Sequence, residues 1–228
     1  MEINQEKWDE SYSRNENLIF YPKEEVIKFL NRFIKKRKGT TSFENLILID
    51  SKLKALDLGC GIGRQTILFE EFGIEGYGVD ISSVAITEAK KLSENMGFEL
   101  NDRFQVLDKV EIPFDNLFFD FAISDSVLDS MEFTFAKKYL NELDRVVKQY
   151  VYISLIASIK LPDGSDFDGE IIVNETHENG TIQSFFTPSK IQELLSETSF
   201  EIVNLSLNTE KNILTNNEHG RFHVVLKK

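Results

Sequence analysis

Apolar positions along the chain recur with two periods, and the alternation between them lays out the fold. Val26, Ile27, Leu30, Phe33 and Ile34 share one face of a 3.6-residue repeat, so a helix opens at Pro22. It is expected to run into Lys35-Lys36-Arg37-Lys38 before Gly39, where cations and a glycine suit a helix C-terminus. Leu53, Ala55, Leu56 and Leu58 form a short apolar run that reads as a buried strand, and Ile67, Leu68 and Phe72 mark a helix behind it. A strand follows over 74–79. Ser82 then caps a helix carrying Val84, Ala85, Ala89, Leu92 and Met96, closed by Gly97. Strands over 103–107, 117–124 and 150–156 come next, with an amphipathic helix (Phe135, Tyr139, Leu140, Leu143, Val146) before the last of them. Strands alternating with helices imply a parallel sheet covered on both faces.

Residues 157–187 break this rhythm. Asp163, Asp166, Asp168 and Glu170 crowd together and, with Glu175, partly match a calcium loop. Its first ligand position would be Gly164, which has no side chain to coordinate, so a solvated acidic loop is the expectation. Asn179-Gly180 between β-prone runs over 171–178 and 181–186 signals a hairpin. Thr187-Pro188 caps a helix with Ile191, Leu194 and Leu195, and strands over 200–207 and 221–226 finish the chain. No repeat or Pro-rich linker interrupts the 228 residues, so a single domain (1–228) is expected, with an N-terminal segment over 1–40 and an insertion over 157–187.

Charge and composition narrow the partners. Twenty-six Lys and Arg face 38 Asp and Glu, a formal net charge of −12, which argues against phosphate-backbone binding and hence against nucleic acid. The single cysteine, Cys60, rules out an internal disulfide framework and fits a reducing compartment. Residues 1–10 lack the apolar core of a signal peptide, and no run is long enough to span a bilayer, so the expectation is a soluble, cytoplasmic chain without a membrane partner.

The chemistry gathers at the strand ending in Asp57-Leu58, which breaks into Gly59-Cys60-Gly61-Ile62-Gly63 and then a helix. Glycines let a ligand approach the backbone, and the helix N-terminus offers unpaired amides. Arg64 stands where a pyrophosphate fingerprint needs its third glycine, and Asp80 ends the next strand, where it could accept from both hydroxyls of a ribose. The turn, the Tyr77-Gly-Val-Asp80-Ile81-Ser82 segment, Phe104 to Asp108, Ile112-Pro-Phe114 and the run from Phe119 to Leu128 resemble, in that order, the motifs of the class I S-adenosylmethionine-dependent methyltransferases of small-molecule type, over about residues 53–155. The resemblance implies a doubly wound, seven-stranded, mostly parallel sheet of Rossmann-like type, closed by an antiparallel pair of strands. It also implies an N-terminal helical lid, with Tyr12 and Tyr21 as lid aromatics, and a β-hairpin insertion after the fifth strand that shapes the acceptor pocket.

Carried over residue by residue, the resemblance puts Gly59, Gly61 and Gly63 beneath the methionine and ribose of S-adenosylmethionine. Asp57 orders the turn or meets the ammonium, Asp80 takes the ribose, Ile81 packs on adenine, Asp108 accepts from the adenine amine, and Ser124 or Asp125 faces the methionine end. Asp129 occupies the place where relatives with a Val-Leu-His pattern carry histidine, so an inherited base there is not implied; His177 of the hairpin is the expected general base, with Asp129 as the alternative. The second reading of His177 is an exposed histidine without a role, and His219 and His223 receive none. No transition-metal spacing occurs. Ser124-Asp-Ser-Val127 departs from the Asn/Asp-Pro-Pro-aromatic motif of nucleic-acid N-methyltransferases. The expected reaction is therefore methyl transfer to a small molecule, at a hydroxyl of a sugar, a nucleotide sugar or another metabolite. The alternatives are N-methylation of an amine or protein side chain, and a non-catalytic S-adenosylmethionine-binding partner protein.

Overall fold

The computed structural model describes residues 5–49, 51–159 and 169–228. Helix α1 (Gln5–Ser13) opens the described chain, and α2 (Glu24–Phe29) continues through one π-type turn, Leu30–Ile34. There the expected helix stops. Lys35–Arg37 is a strand, β1, paired antiparallel with β2 (Phe43–Asn45). The Phe43 ring receives Lys35 Nζ at 5.2 Å and the Arg37 guanidinium at 5.7 Å, and the Arg37 amide donates to the Asn31 side chain. The basic run therefore caps no helix dipole; it lies against an aromatic ring in a small hairpin.

The alternating units follow in chain order: β3 (Lys54–Leu58), α3 (Arg64–Glu71), β4 (Glu75–Asp80), α4 (Ser83–Asn95), β5 (Phe104–Val106), β6 (Phe119–Asp125), α5 (Phe133–Val146) and β7 (Val147–Ile156). The Ser82 hydroxyl accepts from the Ala85 amide, as expected of an N-cap. The short pair β8 (Glu170–Ile172) and β9 (Ile182–Ser184) is antiparallel, α6 (Pro188–Leu195) is capped by Thr187, and β10 (Glu201–Lys211) and β11 (Glu218–Lys227) close the chain. The hairpin strands are shorter than the sequence pattern predicts. Asn179-Gly180 does form a turn, closed by the Thr181 amide on the Glu178 carbonyl, but 174–177 loop out beside it. Asp163, Asp166 and Asp168 of the expected acidic loop lie outside the described residues, and Glu170 belongs to β8.

Seven strands form one sheet in the order β10-β11-β7-β6-β3-β4-β5, parallel except for β11, which runs antiparallel to both neighbours. The order reverses between β3 and β6, so a crevice opens beyond their carboxyl ends. One core layer joins Leu56, Ala122, Leu140 and Val151 to α5 and α6; the other packs Phe29, Leu30, Phe69 and Tyr152. No helix among the described residues is long and apolar enough to cross a membrane.

Candidate active site

The three turn glycines have left-handed φ angles of +72°, +53° and +82°, and a β-carbon on each would meet a different neighbour. At Gly59 it would lie 2.3 Å from Val127, at Gly63 2.6 Å from the Phe104 ring, and at Gly61 2.6 Å from the Tyr12 hydroxyl. Gly63 is therefore a packing glycine, needed for α3 and α4 to approach the sheet. Gly59 and Gly61 face the crevice, where they line a cavity.

Asp80 ends β4 buried in that crevice, its two oxygens accepting from the amides of Gly61 and Ser82 at 2.8 Å each. Burial outweighs these bonds and pushes its pKa up to about 6. Asp57 is buried beside the turn and accepts from the Thr66 hydroxyl at 2.9 Å; burial again dominates and pushes it up to about 7. α1 crosses the crevice. Asp9 accepts from the Ser82 hydroxyl at 2.6 Å and the Val84 amide at 3.2 Å, which anchors α1 on the N-terminus of α4.

Two cavities meet beneath α1, and Trp8, Tyr12, Gly59, Ser126 and Ser130 line both. One, about 110 Å³, is apolar, walled by Ile81, Leu107, Met131, Phe135 and Tyr139, with Asp80 at its edge. The other, about 270 Å³, is polar and includes Asp57, Gln65, Asp125, Glu178, Gln183 and Arg221. Gln65 is buried, and neither of its amide atoms has a hydrogen-bond partner among the described residues. A buried amide without a partner among the described residues, an apolar slot beside an acid, and two glycines at the chamber wall together fit S-adenosylmethionine, whose adenine the slot would take and whose methionine tail the chamber would take.

Several expected residues lie elsewhere. Tyr21 is 82% exposed and lines neither cavity, because the chain turns outward before α2; of the two lid aromatics only Tyr12 reaches the crevice. The His177 side chain is 58% exposed on the loop of the hairpin, 3.5 Å from Glu178, outside both cavities. Asp129 is 0% exposed and also lines neither. Its Oδ2 takes the Ile156 amide at 2.8 Å and Arg221 Nη1 at 2.6 Å, so this oxygen is spent on a backbone and a guanidinium partner. Asp108 is exposed two residues beyond β5, past Leu107, which does line the slot. Ser124 is buried beneath the site. Asp125 reaches the chamber, where Lys23 Nζ lies 2.9 Å from its Oδ2 and the Ser154 hydroxyl donates at 2.6 Å. Burial disfavours its charge, but Lys23 and Ser154 outweigh that and hold its carboxyl below the ordinary range.

Sequence reasoning missed Lys23, Arg221, Gln65 and Glu178. Glu178 enters the chamber from the hairpin with a left-handed φ of 56°, a strained backbone of the kind that gathers at functional sites. Ser126, just after β6, shares that conformation (φ 62°) and accepts from Lys23 Nζ at 2.7 Å.

Residues 49–213 match a family described as a methyltransferase domain, and the chain belongs to it. It is 29% identical over 150 residues to an O-methyltransferase of Pyrenophora dematioidea, covering 65% of this chain and 54% of that protein. It is 24% identical over 157 residues to the ajmaline N-methyltransferase of Rauvolfia serpentina, covering 66% and 53%. The chain thus spans about half the length of these curated relatives. The fold is that of an S-adenosylmethionine-dependent methyltransferase of Methanosarcina mazei, with a TM-score of 0.65, 23% identity, and coverage of 79% of this chain and 94% of that one. The chain is thus a member of the methyltransferase-domain family, and its sheet has the Rossmann-like form of that fold.

Proposed function

We propose that the chain methylates a small molecule at a hydroxyl oxygen, with the acceptor seated in the polar chamber. The observation that carries this is the chamber itself. It adjoins the adenine slot, is lined by charged and amide side chains, and at about 270 Å³ must take the methionine tail and the acceptor together. That volume favours a single-ring or similarly small metabolite, such as one sugar ring, over a whole nucleotide sugar. When bound, S-adenosylmethionine supplies an electrophilic methyl on a sulfonium. The chain's own task is to align the acceptor oxygen and receive its proton.

Asp80 holds the ribose hydroxyls, Gly59 and Gly61 leave room along the methionine, and α1 with Tyr12 excludes water from above. Glu178 is the carboxylate that takes the proton. Product analysis by mass spectrometry, with a panel of hydroxylated metabolites, tests this directly. A gain of one methyl on oxygen supports it, and methylation confined to amines overturns it. His177→Ala is expected to leave kcat within about twofold, whereas Glu178→Gln is expected to lower it by about 10²–10⁴ with KM for S-adenosylmethionine nearly unchanged.

The ribose contact makes a pH prediction. Asp80 and Asp57, with pKa values raised to about 6 and about 7, bind protons more tightly when folded than unfolded. The ligand-free chain therefore loses stability from these two groups as pH rises through about 4 to 7. A ribose or ammonium partner favours the ionised carboxylates, so S-adenosylhomocysteine should bind more tightly at pH 7.5 than at pH 5.5 in calorimetry. Asp80→Ala should cost roughly 1.5–3 kcal/mol of that affinity and flatten the pH dependence. An unchanged affinity would remove Asp80 from the ribose.

A further inference from the structure

We infer that the acceptor carries an anionic group, a carboxylate or similar oxyanion, and that Arg221 receives it; this deepens the reading of the polar chamber given above and rests on it. Arg221 opens the paired stretch of β11, opposite Ile156 at the carboxyl end of β7. Its Nη1 is committed to Asp129 Oδ2 at 2.6 Å and lies 3.4 Å from the Ser154 hydroxyl. Nε and Nη2 make no hydrogen bond to a described residue, and the side chain, 29% exposed, lines the chamber. The fully buried Asp129 fixes one edge of the guanidinium and leaves the other as a preset fork toward the cavity. Such a fork matches two oxygens of a carboxylate.

The other charges of the chamber are disposed differently. Lys23 is held by Asp125 and Ser126, so its position is already satisfied. Arg64 and Gln65 stand on α3, at the methionine side. Glu178 approaches from the hairpin, and its charge is felt by the Tyr12 phenol under the lid. β11 is three places from β3 in the sheet, which puts its strand axis roughly 14 Å from that of the glycine turn at about 4.8 Å per strand. Arg221 is thus at the far wall, where the distal part of an acceptor ends, while the reacting hydroxyl lies between it and the turn. A neutral acceptor would displace water from this guanidinium edge without replacing it by a partner, and an acidic one compensates the loss. The acceptor class is therefore a small hydroxy acid.

The test uses isotope-labelled full-length protein saturated with S-adenosylhomocysteine and follows the arginine Nε–H resonances by NMR, with Arg221 assigned through bonds. Titration with benzoate is expected to shift the Arg221 resonance saturably, while the neutral isostere benzamide leaves it in place. An absent or non-saturating shift, or an equal response to both, overturns the proposal. Calorimetry on Arg221→Lys is the second arm, since lysine keeps a cation beside Asp129. S-adenosylhomocysteine affinity is expected to stay within about twofold. A loss of about tenfold or more would mean that Arg221 holds the methionine carboxylate, and the acceptor assignment would fall while the cofactor reading stood. If S-adenosylhomocysteine fails to saturate the wild-type protein, the failure belongs to the cofactor reading and is visible before any benzoate is added.

Discussion

Gly61→Val is expected to weaken S-adenosylhomocysteine binding by about 100-fold or more while costing the ligand-free fold only about 1–2 kcal/mol. The two effects have separate causes. The φ of +53° is left-handed, which a β-branched residue adopts only with strain, and this sets the folding cost. The added β-carbon would point at the Tyr12 hydroxyl 2.6 Å away, into the space between the turn and α1. Tyr12 belongs to α1, which is held to α4 by Asp9, so the lid can yield where a sheet could not. A cofactor laid along the turn would have to take the space that the Tyr12 hydroxyl fills, and the valine side chain would stand in it. Gly63→Val is the contrast, because its β-carbon would strike the Phe104 ring at 2.6 Å and Ala89 at 3.1 Å, inside the core. It should lower the thermal midpoint far more than Gly61→Val does. Thermal melts and calorimetry on both variants check the pair. Equal melting losses would mean that Gly61 is a packing glycine as well.

The features legible in the sequence are those whose chemistry is local. The Ser82 cap serves an amide three residues on, and Asp80 serves one amide two residues on and the Gly61 amide 19 residues back, a separation that one strand–turn–helix–strand unit fixes. Asn179-Gly180 marked its turn for the same reason, but the ladder beside it depends on what the strands pack against, and only three residues a side are paired. Lys23 and Arg221 could not be read that way. Lys23 meets Ser126 across 103 positions, and Arg221 meets Asp129 across 92. One topological signal was available for Arg221. An antiparallel last strand brings its first residues, rather than its last, to the carboxyl ends of the parallel strands, so the charge that opens its apolar run belongs at the ligand edge. The basic run after Ile34 misled because helix C-terminal preferences and cation–aromatic contacts ask for the same residues, and Phe43 lies too far along the chain to be weighed locally.

Asp129→Ala should be the most damaging substitution to stability, at about 3–5 kcal/mol, because it removes one partner of a buried ion pair. For a chain of this length that lowers the thermal midpoint by about 6–20 °C. The residue ties its loop to three strands, two through its side chain and one through its backbone. It accepts the Ile156 amide at the end of β7 and the Arg221 guanidinium on β11, and its own carbonyl accepts the Ser184 amide of β9. Deleting the carboxylate strands a partly buried cation and an amide at once. Arg221→Ala leaves the opposite fault, a buried carboxylate without its cation. Burial already raises the Asp129 pKa against the pull of Arg221, and without that pull it must rise further. An acid whose folded pKa lies above its unfolded value loses stability as pH rises between the two. The Arg221→Ala penalty should therefore grow as pH rises toward Asp129's folded pKa in that variant and level off above it, while that of Asp129→Ala stays nearly flat above the folded pKa of the wild-type carboxyl. The double variant, with neither charge, should be more stable than the sum of the single losses implies. Were Asp129 the general base, Asp129→Ala would keep its melting temperature and lose turnover, and that result would return the proton to the loop after β6.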